Sequence, residues 1–421
     1  GAWGVLVSPA HARAAVRASA ERGHSGGAVL VHPDPLTALH GLARAWLAEL
    51  RAGGARVVAI TGSTGKTSTK DILTALLSAQ VASACSPANH NTEIGLPLAI
   101  LAAPAGTRAL VLEMAMRGPG QIAQLTAIAQ PEVGVIVNVG PVHLEPLGSV
   151  EAVASAKAEL LAGLAPGASA VVPVDEPLLA PYMREDLRTF TFGPGGTFEL
   201  LEDGEGERGP GEVRIADHAC GERIVLRPSF EEPHNLLNLL AAVAAMRALG
   251  LTPDGEVNVR FSALRGERSR LPGEIVLIED CYNANPMSMR AALDELARSA
   301  GGRRVAVLGD MLELGPDERA YHERIGAYAA ERGVQALVTV GPLARAMAAP
   351  FQTVAGEGGC TVVVRHVADA REAALALREL LRPGDTVLVK GSRGVGLERV
   401  GQELGSCADT GAPARARTGG S

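Results

Sequence analysis

The strongest chemical pattern in the sequence is a glycine-rich segment that follows the apolar run 56–60 and precedes an amphipathic stretch. Glycines allow backbone N–H groups to face phosphate oxygens, and the N-terminus of a following helix adds its dipole. We expect Lys66 to reach the terminal phosphates and the Thr67 hydroxyl to hold Mg²⁺. The predicted nucleotide-binding residues of this loop are Thr61, Gly62, Ser63, Thr64, Gly65, Lys66, Thr67 and Ser68.

The loop departs from the full P-loop pattern at one position, where this chain has Ile60 and the pattern has a further glycine. Two alternative interpretations are therefore open. The segment could be an ordinary glycine-rich turn between a strand and a helix, which would have the same spacing. A P-loop kinase or a GTPase-like switch would use the loop for a different reaction, because a phosphate loop alone does not define chemistry.

Other side chains suited to chemistry follow apolar runs of the sequence. Glu113 ends the run 109–113, His143 lies just past the run 133–139, and Asp280 ends a later run. Ligands of open α/β sheets bind at the carboxyl ends of strands, so these positions favour a binding site. Lys157 lies in a helical segment, where a solvated lysine that pairs with Glu159 is the alternative to a functional one.

The elements that position these residues alternate between strands and helices. Near-continuous apolar runs are typical of parallel strands that are covered on both faces. We predict an α/β protein, with an antiparallel insertion or sheet edge over 187–230. Predicted strands lie near 28–31, 56–60, 108–113, 133–138 and 168–172, and predicted helices near 9–22, 36–50, 66–79, 118–129, 149–164 and 234–249.

A second alternating block follows a junction that contains Gly266, Pro272 and Gly273, which we interpret as a hinge. Its predicted strands lie near 275–280, 303–309, 336–340, 361–365 and 385–390. We predict four parts: a remnant of an N-terminal domain at 1–36, a central domain at 37–270, a C-terminal domain at 271–406, and a disordered tail at 407–421.

Composition narrows the class of protein. The 421 residues carry 39 basic and 46 acidic side chains, a formal charge of −7, and 3% aromatic residues. This balance argues against nucleic-acid binding, which needs a basic face and stacking rings. No apolar run is long enough to span a membrane, and no signal peptide is evident. The cysteines are scattered (Cys85, Cys220, Cys281, Cys360 and Cys407), which favours a reducing, cytoplasmic location.

Lysine is rare in this sequence. Of the 39 basic residues only four are lysine, at Lys66, Lys70, Lys157 and Lys390. Arginine and lysine are not interchangeable at sites of chemistry, so a chain that uses arginine almost everywhere can retain lysine where arginine cannot serve. Chance is the alternative for so small a number.

Taken together, the motifs resemble those of the Mur ligase family. They are TGSTGKTSTK at 61–70, NHNTEIGLP at 89–97, LEMAMRGPGQI at 112–122, NVGPVHLE at 138–145, AKAEL at 156–160, HNLLN at 234–238, EDCYNANPMSMRAAL at 279–293, VAVLGDMLELG at 305–315 and VLVKGSRGVGLE at 387–398. The resemblance implies a central P-loop domain with a parallel sheet, a C-terminal Rossmann-like α/β domain and a truncated N-terminal domain.

The resemblance also implies the reaction. The 280–286 and 309–315 motifs favour the branch that uses ATP to join D-Ala-D-Ala to a UDP-N-acetylmuramoyl-tripeptide through an acyl phosphate. The alternatives are another amide ligase of the superfamily, of the diamino-acid-adding or folylpolyglutamate type, and a non-catalytic P-loop ATP-binding protein. The family further implies a cytoplasmic monomer that acts in peptidoglycan precursor synthesis.

Residue roles carried over from the family stay expectations here. Catalytic residues are Lys66, Lys157 and His143. Two Mg²⁺ ions are implied, one held by Thr67 and Glu113, and the second by His143 and by a CO₂-derived carbamate on Lys157. Asn235 is implied at adenine, and Arg268 at the ATP phosphates, with Arg265 and Arg270 as competitors.

The remaining implied residues face the nucleotide or the peptide substrate. Asp280 is assigned to the nucleotide. The implied substrate residues are Asn91, Thr92, Glu93, Asn283, Asn285, Lys390 and Ser392. Thr92 departs from the family pattern, which more often has a second asparagine at this position.

Overall fold

The structure, a computed structural model, describes residues 4–21, 28–201 and 211–405. The expected tail at 407–421 lies outside the described residues. Helices alternate with strands that are mostly parallel, which confirms the predicted α/β class. Within the described residues, no helix combines the length and apolar character that a bilayer crossing requires.

The helices are α1 (Pro9–Glu21), α2 (Pro35–Ala52), α3 (Lys66–Ser78), α4 (Gly95–Ala102), α5 (Gln121–Ala129), α6 (Leu144–Leu147), α7 (Val150–Ala162), α8 (Pro233–Ala248), α9 (Pro286–Ser299), α10 (Glu318–Glu331), α11 (Ala348–Glu357), α12 (Ala370–Leu380) and α13 (Glu398–Gly405). The strands are β1 (Gly4–Val7), β2 (Ala28–Val31), β3 (Arg56–Thr61), β4 (Ser83–Cys85), β5 (Ala109–Glu113), β6 (Val133–Ile136), β7 (Ser169–Pro173), β8 (Arg188–Phe192), β9 (Phe198–Leu200), β10 (Val213–Asp217), β11 (Glu222–Pro228), β12 (Gly255–Val257), β13 (Glu267–Leu271), β14 (Ile275–Glu279), β15 (Arg304–Gly309), β16 (Ala336–Val340), β17 (Val363–Val367) and β18 (Thr386–Lys390).

The chain divides into two compact units, and the first comprises the described parts of 1–138, 155–231 and 235–259. Its main sheet has the order β12-β11-β10-β9-β8-β7-β6-β3-β5-β4. The strands from β4 to β9 pair in parallel, whereas β10 pairs antiparallel with both β9 and β11. The antiparallel pairing predicted over 187–230 is therefore confirmed for β9 to β11 and is wrong for β8, which pairs in parallel with β7. A separate parallel pair of strands, β1 and β2, precedes it.

The sequence pattern did not predict the strands β1, β4 and β12 or the helix α4 of the first unit. The short strand β4 and the helix α4 lie close to the phosphate loop in sequence. β4 reads Ser-Ala-Cys, which offers no apolar run, and α4 starts at Gly95 with Pro97 in its first turn. Both depend on neighbours: β4 pairs with β5, and α4 packs against α2. Tertiary contacts thus override weak local propensity.

The second unit comprises 139–154, 232–234 and the described part of 260–421. Its sheet has the order β13-β14-β18-β15-β16-β17, parallel except for β13. The five strands predicted for this block are present within two residues of the expected bounds. Strand β13 lies between Gly266 and Pro272, in the junction that we interpreted as a hinge, and it pairs antiparallel with β14.

Arginine side chains cap the carboxyl ends of helices to which they do not belong. Arg184 donates to the carbonyls of Leu161, Ala162 and Leu164 at the end of α7. Carbonyls at or just past the ends of α5, α8, α12, α10 and α13 accept in the same way from Arg51, Arg56, Arg303, Arg304 and Arg378. Cations near a helix C-terminus satisfy unbonded carbonyls and favour the helix dipole.

A buried histidine anchors the loop after β15 in the second unit. His322 on α10 has no solvent exposure; its Nδ1 donates to the Glu318 carbonyl at 2.7 Å, and its Nε2 accepts the Met311 N–H at 2.9 Å. Only the neutral ring can do both. Burial lowers the pKa of His322 below the ordinary 6.5, although the nearby charges of Asp310 and Glu318 oppose this effect.

The stability of the second unit is therefore expected to fall in acid. The unfolded chain binds a proton at His322 as the pH drops through 6.5, and the folded chain binds it only at a lower pH, so the free energy of unfolding decreases between the two. One proton is involved, so the slope from this site cannot exceed about 1.4 kcal/mol per pH unit. Urea unfolding followed by circular dichroism between pH 7.5 and 5.5 should show a smaller pH dependence of the free energy of unfolding in His322→Gln than in wild type. The exposed-histidine control His218→Gln should retain the wild-type dependence, and equal slopes in all three proteins would contradict the prediction.

Candidate active site

The glycine-rich loop is held in shape by an asparagine that lies far away in sequence. The Lys66 ammonium donates back to the Gly62 carbonyl at 2.7 Å. The Thr64 N–H donates to Asn138 Oδ1 at 2.9 Å, and Asn138 Nδ2 donates to Thr64 Oγ1 at 2.9 Å. The Asn138 carbonyl accepts the Ser63 N–H at 3.1 Å. Asn138 thus bonds Ser63 and Thr64, in the middle of the turn that precedes α3, through both its backbone and its side chain.

Helix α8 closes against the same loop. Gly65 has φ +75°, and a Cβ at this position would lie 2.5 Å from Asn238 Oδ1. Both the backbone conformation and the close approach therefore require glycine. Asn238 Nδ2 in turn donates to Asn235 Oδ1 at 3.3 Å. The structure thus brings the predicted adenine residue Asn235, which is buried, to the side of the loop.

The carboxylate of Glu113 lies at the end of β5 and is 2% exposed. Thr67 Oγ1 donates to one carboxylate oxygen at 2.7 Å, and Asn91 Nδ2 donates to the other at 2.8 Å. Within the described residues, no cationic side chain pairs with it. A buried charge without a counter-charge is costly, and an oxygen-rich anionic site suits a hard cation. The residues present therefore fit Mg²⁺.

The segment before α4 carries the predicted substrate residues Asn91, Thr92 and Glu93. Thr92 Oγ1 accepts the Gly95 N–H at 3.3 Å at the start of the helix. The Glu93 side chain is exposed, and its carbonyl bonds His40 Nε2 at 2.8 Å. Asn91 is the member of this group that contacts Glu113 directly.

Lys157 is buried on α7 with 2% exposure. Within the described parts of the chain it forms no ion pair, and Glu159 instead accepts the N–H groups of Gly120 and Ala123. The interpretation of Lys157 as a solvated partner of Glu159 is therefore wrong. Burial lowers the pKa of Lys157 well below 10.5, and the charge of Lys66 lowers it further. Burial and the Lys66 charge therefore both favour the unprotonated amine of Lys157 over its charged form.

His143 belongs to the second unit, where its Nδ1 bonds the carboxylate of Glu313. Both residues have positive φ, +52° for His143 and +62° for Glu313, in conformations that ordinary side chains rarely adopt. A carboxylate that holds one ring nitrogen sets the tautomer and makes the other nitrogen the acceptor, as in many metal-binding histidines.

In the second unit the strand ends bring together three predicted residues. Lys390 is 1% exposed; its ammonium donates to Asp280 Oδ2 at 2.6 Å and to the Asn283 carbonyl at 3.1 Å. Asp280 is thus the partly exposed partner of a buried lysine at the adjacent ends of β14 and β18.

Two further predicted substrate residues also have structural partners. Ser392 Oγ accepts the Leu312 N–H at 3.0 Å and donates to the Ala284 carbonyl at 3.4 Å. Asn285 forms a capping box with Ser288 at the start of α9. These bonds join the loops after three strands, and they leave the substrate roles as predictions.

Each of the three candidate arginines has a partner in the second unit. Arg268 pairs with Glu295, whereas Arg270 pairs with Glu274. The guanidinium of Arg265 stacks 4.3 Å from the ring centre of Tyr282. The assignment of one of them to the ATP phosphates therefore stays a prediction.

The sequence reasoning missed Asn138 and Asn238. Each lies inside a motif that was quoted whole, NVGPVHLE and HNLLN, so the signal was a polar residue within an otherwise apolar segment. A cluster of possible metal ligands elsewhere, Asp217, Cys220 and Glu222, is engaged by the guanidinium of Arg247.

Two family models match the chain. The Mur ligase middle domain matches residues 60–246, and the Mur ligase, glutamate ligase domain, matches residues 264–393. The UDP-N-acetylmuramoyl-tripeptide–D-alanyl-D-alanine ligase of Bacillus subtilis is 34% identical over 386 residues, which covers 90% of this chain and 81% of that protein.

Solved structures of the same kind are also similar. MurF ligase from Thermotoga maritima, in complex with ADP, is 28% identical with a TM-score of 0.79, covering 97% of this chain and 95% of that one. MurF from Acinetobacter baumannii is 29% identical with a TM-score of 0.77, covering 89% and 82%. With its two matched domains and these relatives, the chain belongs to the Mur ligase family.

Proposed function

We propose that this protein is an ATP-dependent ligase that joins D-Ala-D-Ala to UDP-N-acetylmuramoyl-tripeptide in peptidoglycan precursor synthesis. The observation that carries the proposal is the buried Lys157, which has no carboxylate partner within residues 4–21, 28–201 and 211–405 and lies near enough to the phosphate-loop lysine Lys66 to feel its charge. A P-loop kinase or switch gives no reason for this pair. The names of the relatives supply the substrates.

The chemistry has two steps. The terminal carboxylate of the tripeptide attacks the γ-phosphorus of ATP; the new O–P bond forms as the bond to ADP breaks, which gives an acyl phosphate. The amine of D-Ala-D-Ala then attacks the acyl carbon, loses a proton, and displaces phosphate. Charge builds on the transferring phosphoryl group, so fixed cations at this position supply much of the catalysis.

We assign the phosphate contacts to the loop 61–68. The Asn138 bonds pre-shape this loop, so little ordering remains when ATP binds. Lys66 would exchange the Gly62 carbonyl for phosphate oxygens. We place Asn235 at the adenine, and one of Arg265, Arg268 and Arg270 at the phosphates.

Mg²⁺, when bound, would neutralise the charge of the phosphates. Thr67 and Glu113 would hold one ion, and His143 would bind a second through the nitrogen opposite Glu313. The buried Glu113 carboxylate and its oxygen neighbours support the first assignment, and the Glu313 contact supports the second.

We further propose that Lys157 carries a carbamate. The unprotonated amine attacks CO₂; the N–C bond forms and one proton leaves to water, so a neutral amine becomes a buried anion suited to a metal. The lowered pKa of Lys157 supports this step, because only the unprotonated amine can attack.

The substrate residues and domain boundaries complete the proposal. We place the peptide substrates near Asn91, Thr92, Glu93, Asn283, Asn285, Lys390 and Ser392, and Asp280 near the nucleotide. We propose 1–36 as part of the UDP-substrate domain, 37–270 as the ATP-binding domain and 271–406 as the ligase domain, in a monomeric, cytoplasmic enzyme.

Phosphate release tests the reaction and its loop together. With ATP, Mg²⁺ and the UDP-linked tripeptide, wild type should release phosphate only when D-Ala-D-Ala is added. Lys66→Met should lower this rate by about 100-fold or more, because a fixed cation at the transferring group is lost. The exposed-cation control Arg319→Met should behave as wild type. Release that ignores D-Ala-D-Ala would contradict the proposal.

The carbamate has its own spectroscopic test. In ¹³C-bicarbonate, wild type should show one carbamate resonance that Lys157→Met and Lys157→Arg both lack. Both variants should lose ligase activity by about 100-fold, although Lys157→Arg keeps a positive charge. A full-strength resonance in Lys157→Met, or near-normal activity in either variant, would show that the carbamate assignment is wrong.

A further inference from the structure

We propose that Lys70 is a positioning residue for the carboxylate of Glu113 and acts through Ser86. The inference rests on the proposed function, because it concerns the metal site of that reaction. Lys70 lies one helical turn after Lys66 on the same face of α3. Its side chain is 2% exposed, although charged lysines are almost never fully buried unless paired.

The ammonium of Lys70 has two oxygen partners. It donates to the Ser86 carbonyl at 3.0 Å and lies 3.2 Å from Asp71 Oδ1. Asp71 is its neighbour in the helix and supplies the counter-charge. The bond to Ser86 reaches a different element, where β4 has just ended.

Ser86 fastens the end of β5. Its N–H donates to the Val111 carbonyl at 2.9 Å, which continues the β4–β5 pairing by one residue. Its hydroxyl accepts the Glu113 N–H at 3.1 Å. Ser86 therefore holds the backbone of the residue whose carboxylate bonds Thr67 and Asn91.

The Ser86 carbonyl is the point at which the chain leaves the sheet. Pro87 follows, and the segment 87–94 carries Asn91 to Glu113. Lys70 thus holds Ser86, which in turn holds the Glu113 backbone and starts the segment that supplies Asn91. Removing the ammonium would leave the buried Ser86 carbonyl without this donor, so that both the Glu113 backbone and the Asn91 side chain could shift.

Manganese binding tests this role without requiring turnover. The probe is Mn²⁺, measured by electron paramagnetic resonance on the full chain with ADP. Lys70→Met preserves length but removes the charge, and it should weaken Mn²⁺ binding by about tenfold, the usual effect of losing a residue that orients a metal ligand. Ser86→Ala, which removes only the hydroxyl, should weaken it in the same direction.

The control separates positioning from general destabilisation. Arg303→Met removes a partly buried cation, whose guanidinium pairs with the buried Asp385 at 2.7 Å in the second unit. It should lower the thermal unfolding midpoint as Lys70→Met does, with unchanged Mn²⁺ affinity. Equal loss of affinity in Arg303→Met would overturn the proposal, as would wild-type affinity in Lys70→Met. If Lys70→Met does not fold, wild-type affinity in Ser86→Ala overturns it.

The two proposals fail separately. Phosphate release from wild type that does not depend on D-Ala-D-Ala would reject the ligase reaction and leave the Mn²⁺ result for Lys70→Met standing. Normal D-Ala-D-Ala-dependent release, with no Mn²⁺ affinity change in Lys70→Met or Ser86→Ala, would reject the role of Lys70 alone. Absence of Mn²⁺ binding by wild type with ADP would also reject it.

Discussion

A buried negative charge at the end of β5 determines how the first unit is arranged around its phosphate loop. Glu113 is 2% exposed; its N–H donates to the Ser86 hydroxyl, and the two side chains that donate to its carboxylate, Thr67 and Asn91, are uncharged. Such bonds satisfy oxygen lone pairs but do not cancel charge. The end of a strand, the start of a helix and a loop are therefore organised around a carboxylate that still requires a cation.

Arginine and lysine have separate tasks in this fold. Arginines reach across to helix ends, as Arg184 does at α7 and Arg303 at α12, where the planar fork bonds carbonyls and often a carboxylate as well. Three of the four lysines are at most 2% exposed, and each lies near a strand end or the phosphate loop. The rare lysines thus lie mostly at buried positions. A compact ammonium on an unbranched stem fits such sites, where a planar guanidinium does not.

Local pattern was sufficient for most of the fold. Continuous apolar runs predicted β3, β5 and β6 and their parallel pairing, because strands covered on both faces have no polar side. The same reasoning missed β4, which exists only through its pairing with β5. It also missed Asn138, whose partner Thr64 is 74 positions away. Contacts between remote segments leave no periodic pattern in a sequence. The hydrogen bonds between Asn138 and the phosphate loop therefore could be found only in the structure.

Lys157 shows how burial changes the acid–base behaviour of an unremarkable helix residue, because it lowers the pKa of the ammonium. Helix α7 has an exposed face, which carries Glu151 and Ser155, and a buried side, on which Val153, Ala156 and Leu160 lie. Lys157 lies on the buried side, where its ammonium is removed from water. The helix pattern alone suggested a surface lysine because only the neighbouring charge of Glu159 was weighed. Glu159 bonds the start of α5, and among the residues that the structure describes no anion pairs with Lys157, so its low-dielectric surroundings favour the neutral amine. The chemistry assigned to this lysine thus follows from where the helix packs, and not from the residues beside it in sequence.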